Sequence, residues 1–318
     1  VYCFRPFHNA DPPHLVQIWG SQTPRRGLSQ PLSLQQLEQS VLSKCYFDRN
    51  NLIVATQQEI PVGFAHVGFG PGDVPYQLDQ SMGTTHMLMV RGDLWHTDLP
   101  KKLLEQAEQQ LRSQGAKVLY GGGIAPLNGF YLGLYGGSEL PGVLISDEPF
   151  KSLLLDSGYR ERGRVVVMQR DLIRFRPTIT HEQRRIAREV QLDIEYAPNL
   201  SNWWEAALYS GIETYNYRLV RRRGGEVLSE VSFWDVEPLA TSWALRTAGA
   251  YRMFTKPEYR RQGYATYLMG EAFRELHKRG TTLVEVQTMR TNEAAIDFYR
   301  KLGFAPVDHG LVLRRDAQ

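Results

Sequence analysis

Two stretches near the carboxy terminus combine residue types that can do chemistry. In the first, Lys256-Pro257-Glu258-Tyr259-Arg260-Arg261-Gln262-Gly263-Tyr264-Ala265 follows an apolar strand and runs straight into a helix. Small residues at 263 and 265 let the main chain turn tightly and approach a ligand with no large side chain in the way. The free N–H groups of the first helical turn then converge, an arrangement that holds anions such as a pyrophosphate. Lys256, Arg260 and Arg261 add positive charge at the same place. Taken alone, the stretch is equally an ordinary strand–turn–helix with a solvated basic loop.

The second stretch, Asn292 to Phe304, follows the next strand. Asn292 can cap a helix on which Ala295, Ile296, Tyr299 and Leu302 share a face, and Gly303 can end it in the left-handed conformation. On that reading alone Tyr299 is a core residue and Asn292 a cap.

The elements needed to position these stretches can be read from periodicity. Tyr215–Val220 and Val227–Trp234 form a hairpin about Gly224-Gly225, and Ala250–Thr255 is a strand. Tyr264–Lys278 is a helix with Ala265, Leu268, Met269, Ala272, Phe273 and Leu276 on one face, Leu283–Thr288 is a strand, Glu293–Lys301 a helix and Leu311–Arg314 a closing strand. The first half has the same grammar: strands at Leu52–Thr56, Val62–Phe69 and His86–Val90, a helix at Pro100–Gln114 stopped by Gly115, then a strand from Val118. A glycine-rich aromatic stretch, Gly121–Gly142, interrupts it before a helix at Pro149–Asp156, Gly158 and the strand Arg164–Arg170. Gly115 matches Gly280 and Gly158 matches Gly303, so the chain is an internal duplication. The seam is Leu172–Thr180, where Arg174, Arg176 and Pro177 break the strand pattern before a charged helix, giving domains 1–172 and 173–318.

Arg260-x-x-Gly263-x-Ala265, a helix, then Asn292…Tyr299…Gly303-Phe304 resembles the GNAT (GCN5-related) N-acetyltransferase superfamily, with the match running from about Tyr251 to Phe304. The resemblance implies an α/β fold of two tandem GNAT-like domains, each a twisted, mixed but mostly antiparallel sheet flanked by helices. It implies acetyl-CoA as co-substrate and a primary amine, on a small molecule or a peptide, as acceptor. The main chain of Met253, Phe254 and Thr255 would pair with the pantetheine arm. Arg260, Arg261, Gln262, Gly263, Tyr264 and Ala265, with Thr266 behind them, would hold the pyrophosphate. Asn292 would bond the pantetheine amides, and Tyr299 would sit beside the thioester sulfur.

A phenol is protonated at neutral pH and can protonate the leaving thiolate. The amine must attack in its neutral form, so a carboxylate should take its proton. Glu285 is the first candidate, with Glu213 and Glu237 as others. Direct attack is expected, because no activated Cys or Ser accompanies the motif.

Carried onto the first half, the motif fails. The loop falls on Trp95–Pro100 with Asp98 in place of glycine, Tyr299 falls on Leu154, and Asn292 falls on Asp147. Domain 1–172 therefore reads as a degenerate GNAT-like domain carrying the glycine-rich insert, which is expected to be a lid or an interface element. Tandem chains of about this length include mycothiol synthase; the arrangement is similar, but nothing here reads that enzyme's precursor.

Composition sets the remaining bounds. A net charge of +3 on 318 residues supplies no broad basic surface. It argues against a nucleic-acid partner, and against peptidyl transfer from aminoacyl-tRNA as an alternative activity. A non-catalytic acyl-CoA-binding sensor or scaffold is the other alternative, and Tyr299 argues against it. Two cysteines, Cys3 and Cys45, form no disulfide framework and suggest a reducing cytoplasm. Apolar runs are too short for a membrane helix, no basic-then-apolar leader opens the sequence, and no metal-binding spacing is present.

Overall fold

The computed structural model describes residues 1–74, 76–176 and 180–316. Pro177, expected to help break the chain at the seam, lies outside the described residues. The first half contains β1 (Cys3–Pro6), α1 (Pro12–Gly20), α2 (Leu34–Leu37), β2 (Leu52–Gln57), β3 (Ile60–Pro71), β4 (Leu78–Val90), α3 (Leu99–Ser113), β5 (Val118–Gly121), β6 (Val143–Leu144), α4 (Glu148–Asp156) and β7 (Arg160–Asp171). The second contains α5 (His181–Glu189), β8 (Val190–Tyr196), α6 (Trp203–Leu208), β9 (Thr214–Arg221), β10 (Val227–Asp235), α7 (Glu237–Trp243), β11 (Thr247–Thr255), α8 (Tyr264–Lys278), β12 (Leu283–Met289), α9 (Glu293–Lys301) and β13 (Ala305–Asp316). Helices α8 and α9 have the bounds expected from their apolar periodicity.

The two halves repeat each other strand for strand at their centres. In the first, β4 and β5 run parallel through Met82↔Val118 to Thr85↔Gly121. In the second, β11 and β12 run parallel through Thr247↔Leu283 to Ala250↔Val286. Most other pairings are antiparallel, and helices cover both faces. Among the described residues all thirteen strands join one sheet, in the order β1-β2-β3-β4-β5-β13-β7-β12-β11-β10-β9-β8, with β6 beside β13.

That order contains an exchange. Strand β7, from the first half, bonds β12 of the second from Leu283↔Asp171 to Met289↔Val165. Strand β13, from the second half, bonds β5 of the first from Leu313↔Gly121 to Asp316↔Val118. The two exchanged strands pair with each other from Ala305↔Gln169 to Arg314↔Arg160.

Their side chains are exchanged as well. Leu311 and Leu313 pack in the core under α3 and α4. Val166, Met168 and Leu172 pack in the core under α5, α8 and α9. Each such side chain contributes about 1.5–3 kcal/mol when fully buried, so both cores depend on both halves.

The glycine-rich segment packs on the opposite face. Phe130, Tyr131, Leu134 and Tyr135 join a core with Trp19 of α1 and Phe64 of β3. Leu132 instead joins Leu208, Tyr209, Trp234 and Leu239 of the second half. The segment is thus an interface element. Cys3 and Cys45 are both free and exposed.

Candidate active site

Beyond Ala250 and Val286 the two parallel strands of the second half part. Strand β11 stays with β10 as far as Ser229↔Thr255. Strand β12 stays with β7 as far as Met289↔Val165. A bulge begins the separation: Ser232 faces Arg252 and Phe233 faces Ala250, leaving Tyr251 as the extra residue. Bulges of this kind sharpen the local twist and turn an edge away from its neighbour. The result is a wedge along which Met253, Phe254 and Thr255 have no strand partner on the β12 side. The displaced Tyr251 ring packs against Tyr209, with centroids 4.5 Å apart and the rings tilted by 32°.

The loop after β11 leads to the start of α8. Arg261 (φ +57°) and Gly263 (φ +81°) both lie in the left-handed region. Gly263 is the N-cap residue and supplies no side chain to the free N–H groups of Tyr264, Ala265 and Thr266. Those donors are consequently open to an anion.

The expected cations are only partly directed there. Lys256 Nζ is 2.7 Å from Glu226, and Arg260 Nε donates to the Thr255 carbonyl at 3.0 Å. Arg261 and Gln262 are exposed, with Gln262 Nε2 donating to the Glu258 carbonyl at 2.7 Å. Gly263 and Thr266 line a cleft of about 520 Å³ with Arg170, Arg274 and Lys301. Glu182 of α5 stands in it, so close that a Cβ on Gly263 would lie 2.8 Å from its carboxyl carbon.

Across the wedge, Asn292 Oδ1 accepts from the Ala295 N–H at 3.2 Å and caps α9. Tyr299, two turns further, is half-buried, with its ring 5.4 Å from Phe298 and 5.5 Å from Phe304. Burial, reinforced by the negative charge of Glu139, pushes its phenol up to about 12. The hydroxyl therefore keeps its proton throughout the neutral range.

Glu285 lies on β12 one residue before the strands part, opposite Gly249, and is 1% exposed. Its Oε1 accepts from the Ser138 N–H at 2.6 Å and its Oε2 from Gln169 Nε2 at 2.6 Å. Burial holds this carboxyl above the usual range, against the pull of those donors and of Gln287. Both oxygens are thus engaged within the protein. Glu213 and Glu237 line a separate cleft of about 410 Å³ with Arg246 and Thr247, at the end of β11 away from the wedge.

Sequence reasoning missed Glu139, Gln287 and Glu182. Glu139 lay within the segment singled out for its length, but nothing in its neighbours tied it to Tyr299.

The first half has a matching bulge. His66 faces Met87 and Val67 faces Thr85, leaving His86 as the extra residue. There the Phe130 ring closes over the bulge, 5.0 Å from His86 and 4.2 Å from His66. Asp98 pairs with Lys102, Leu154 is completely buried, and Asp147 is paired with Arg25 and hydrogen-bonded by Tyr135.

Comparison with known proteins agrees with this geometry. A family described as the Acetyltransferase (GNAT) family matches residues 178–304. An uncharacterized N-acetyltransferase of Methanocaldococcus jannaschii is 37% identical over 57 residues, which is 18% of this chain and 25% of that protein. Among solved structures, a tandem GNAT protein from the clavulanic acid biosynthesis pathway superposes with a TM-score of 0.69 at 14% identity, covering 100% of this chain and 99% of its own. A GCN5-related glucosamine N-acetyltransferase region of a fungal multi-domain GH3 β-N-acetylglucosaminidase superposes with a TM-score of 0.71 at 18% identity, covering 99% of this chain and 38% of that one. At such identities the structural likeness speaks for the fold. Together with the family match, it establishes that this chain has a tandem GNAT fold and carries, over residues 178–304, a domain of the GNAT acetyltransferase family.

Proposed function

We propose that the second half, residues 173–318, transfers the acetyl group of acetyl-CoA to a primary amine by direct attack. The observation that carries this reading is the wedge between β11 and β12 beside the uncapped start of α8, with Tyr299 on the helix that follows β12 as the proposed acid. Met253, Phe254 and Thr255 present unpaired main chain to a pantetheine arm. The N–H groups from Arg261 to Thr266 receive the pyrophosphate, and Asn292 borders the arm on the α9 side.

The chemistry is balanced with these groups. A neutral amine attacks the thioester carbon, a C–N bond forms, and the C–S bond breaks with its electron pair on sulfur. Tyr299 gives that sulfur a proton and recovers one from the new amide nitrogen, directly or through water. In the first half the corresponding positions are filled by Phe130 and Leu154, which argues for a single site per chain.

Calorimetry with acetyl-CoA tests the reading. Wild type and Tyr299→Phe should each bind one equivalent. Gly263→Asp should bind at least ~100-fold more weakly, a loss of about 2.7 kcal/mol. Three effects combine in that variant. A non-glycine residue at φ +81° costs about 1–2 kcal/mol, its Cβ meets Glu182, and its carboxylate occupies the anion site. Two equivalents, or undiminished binding by Gly263→Asp, would place a site in the first half. No binding by wild type would end the acetyltransferase reading, and binding with no turnover on any amine would favour a sensor.

A further inference from the structure

Glu139 belongs to the first half, yet its main chain is bonded to the second. Gln287 Nε2, on β12 where the wedge opens, donates to the carbonyls of Gly136 at 2.9 Å and Glu139 at 3.0 Å. The Ser138 N–H donates to Glu285, and the Ser138 carbonyl accepts from Trp234 Nε1 at 3.1 Å. These four bonds hold residues 136–139 over the floor of the wedge. Gly137, at φ +101°, is required there, because a Cβ would collide with the Glu285 carboxylate.

The Glu139 carboxylate is left without compensation. Among the described residues no cation and no hydrogen-bond donor offsets its charge. The titratable groups that feel it are Glu285 below, Tyr299 on α9 and Tyr209 after α6. Arg252, a cation that also acts on Tyr209, is 3.8 Å from Glu205 and donates to Ser201. Glu139 is half-buried rather than sealed off, so its unpartnered carboxylate is open to a cation brought from outside.

We infer that Glu139 is the general base of the reaction proposed above: it receives the ammonium group of the acceptor and takes its proton, so that the first half completes the active site of the second. One proton passes from R–NH₃⁺ to a Glu139 oxygen, the freed lone pair attacks the thioester, and the proton later leaves to solvent. Glu285 is then a positioning residue that anchors the loop carrying the base. Burial and the Glu285 charge push the Glu139 carboxyl up to about 8, close to the pH at which a base works best.

The inference rests on the acetyltransferase reading, and the test separates the two. Acetyl-CoA is supplied with phenethylamine, which is protonated at neutral pH, or with hydroxylamine, which is not; thioester hydrolysis serves as the control with water as acceptor. In Glu139→Gln, transfer to phenethylamine should fall about 10²–10⁴-fold, and the rise of kcat/KM with pH centred near 8 should disappear. Transfer to hydroxylamine should fall less than about tenfold, acetyl-CoA affinity should be unchanged, and Glu139→Asp should recover part of the loss.

Stability gives an independent reading. The folded carboxyl keeps its proton to about 8, whereas an unfolded one releases it near 4.5. Wild type should therefore lose stability relative to Glu139→Gln as pH rises from 4.5 to 8, with no further change above. Equal losses with both amines, or a pH limb centred near 8 that survives in Glu139→Gln, would overturn the assignment. So would a wild type that binds acetyl-CoA but transfers to neither amine nor water. Failure of wild type to bind acetyl-CoA would instead remove the reading on which it rests.

Discussion

Replacing Tyr299 by Phe lowers kcat for acetyl transfer by about 10²–10⁴-fold and leaves the acetyl-CoA dissociation constant within about twofold. The expected split follows from where the residue sits. Its ring packs beside Phe298 and Phe304, contacts that a phenylalanine keeps, so the change removes one hydroxyl and little else. No part of the loop at the start of α8 is touched, which is why binding should survive. On the proposed reading the lost hydroxyl is the group that protonates the departing thiolate, and without it sulfur would leave as an anion. Because burial and Glu139 hold the phenol near 12, wild type should show no alkaline fall in rate from Tyr299 through pH 10. Steady-state release of CoA thiol against pH, for both proteins, checks the two statements together. A variant within threefold of wild type would remove Tyr299 from the chemistry.

Much of this arrangement is legible in the amino-acid sequence. The helix 264–278 and the helix 293–301 are set by apolar residues at 3.6-residue spacing, and both have the expected bounds. The parallel pair on either side of the first helix follows from strand–helix–strand succession. Other elements escaped for local reasons. Helix α1 opens on Pro12-Pro13 and is only nine residues long, and α7 is seven residues with Pro238 in its first turn. Strand β8 follows α5 without a break at Val190, so a charged helix masked its alternation. Strand β13, expected from 311 to 314, extends from 305 to 316 through Pro306 and Gly310, residues that local preference keeps out of strands.

The contribution of Glu139 was hidden for a different reason. Its proximity to Tyr299 depends on Gln287, Glu285 and Trp234, all roughly a hundred residues or more away in sequence. Spacing arguments see only neighbours along the chain, and the influence of Glu139 on Tyr299 arises only on folding. Glu182 is similar: it reads as an ordinary acid in the first turn of α5, and only the fold sets it against Gly263.

The exchange of β7 and β13 yields the other large effect. Expressed alone, residues 173–318 should not behave as a folded monomer, and residues 1–172 added in trans should restore a one-to-one complex that binds acetyl-CoA. In the intact chain β12 is bonded on one side by β7 over seven residue pairs, from Leu283↔Asp171 to Met289↔Val165. Without β7, that edge of the sheet is open at the wall of the proposed active site. Strand β13 cannot take the vacancy where it stands, because β7 lies between it and β12, a gap of two strand spacings or about 10 Å. The core under α8 and α9 also loses Val166, Met168 and Leu172, at about 1.5–3 kcal/mol for each side chain fully buried. Three such losses approach the whole stability of a typical domain, about 5–15 kcal/mol. Strand β13 would meanwhile expose Leu311 and Leu313, which the first half normally covers. Size-exclusion chromatography and thermal unfolding of the fragment, alone and with its complement, measure this directly. A cooperatively unfolding monomer of 173–318 that binds acetyl-CoA would show that the shared strands are dispensable. Aggregation or self-pairing relieved by the first half would mean that the duplicated halves have become one folding unit, in which the half lacking the motif supplies a strand to the sheet around the site.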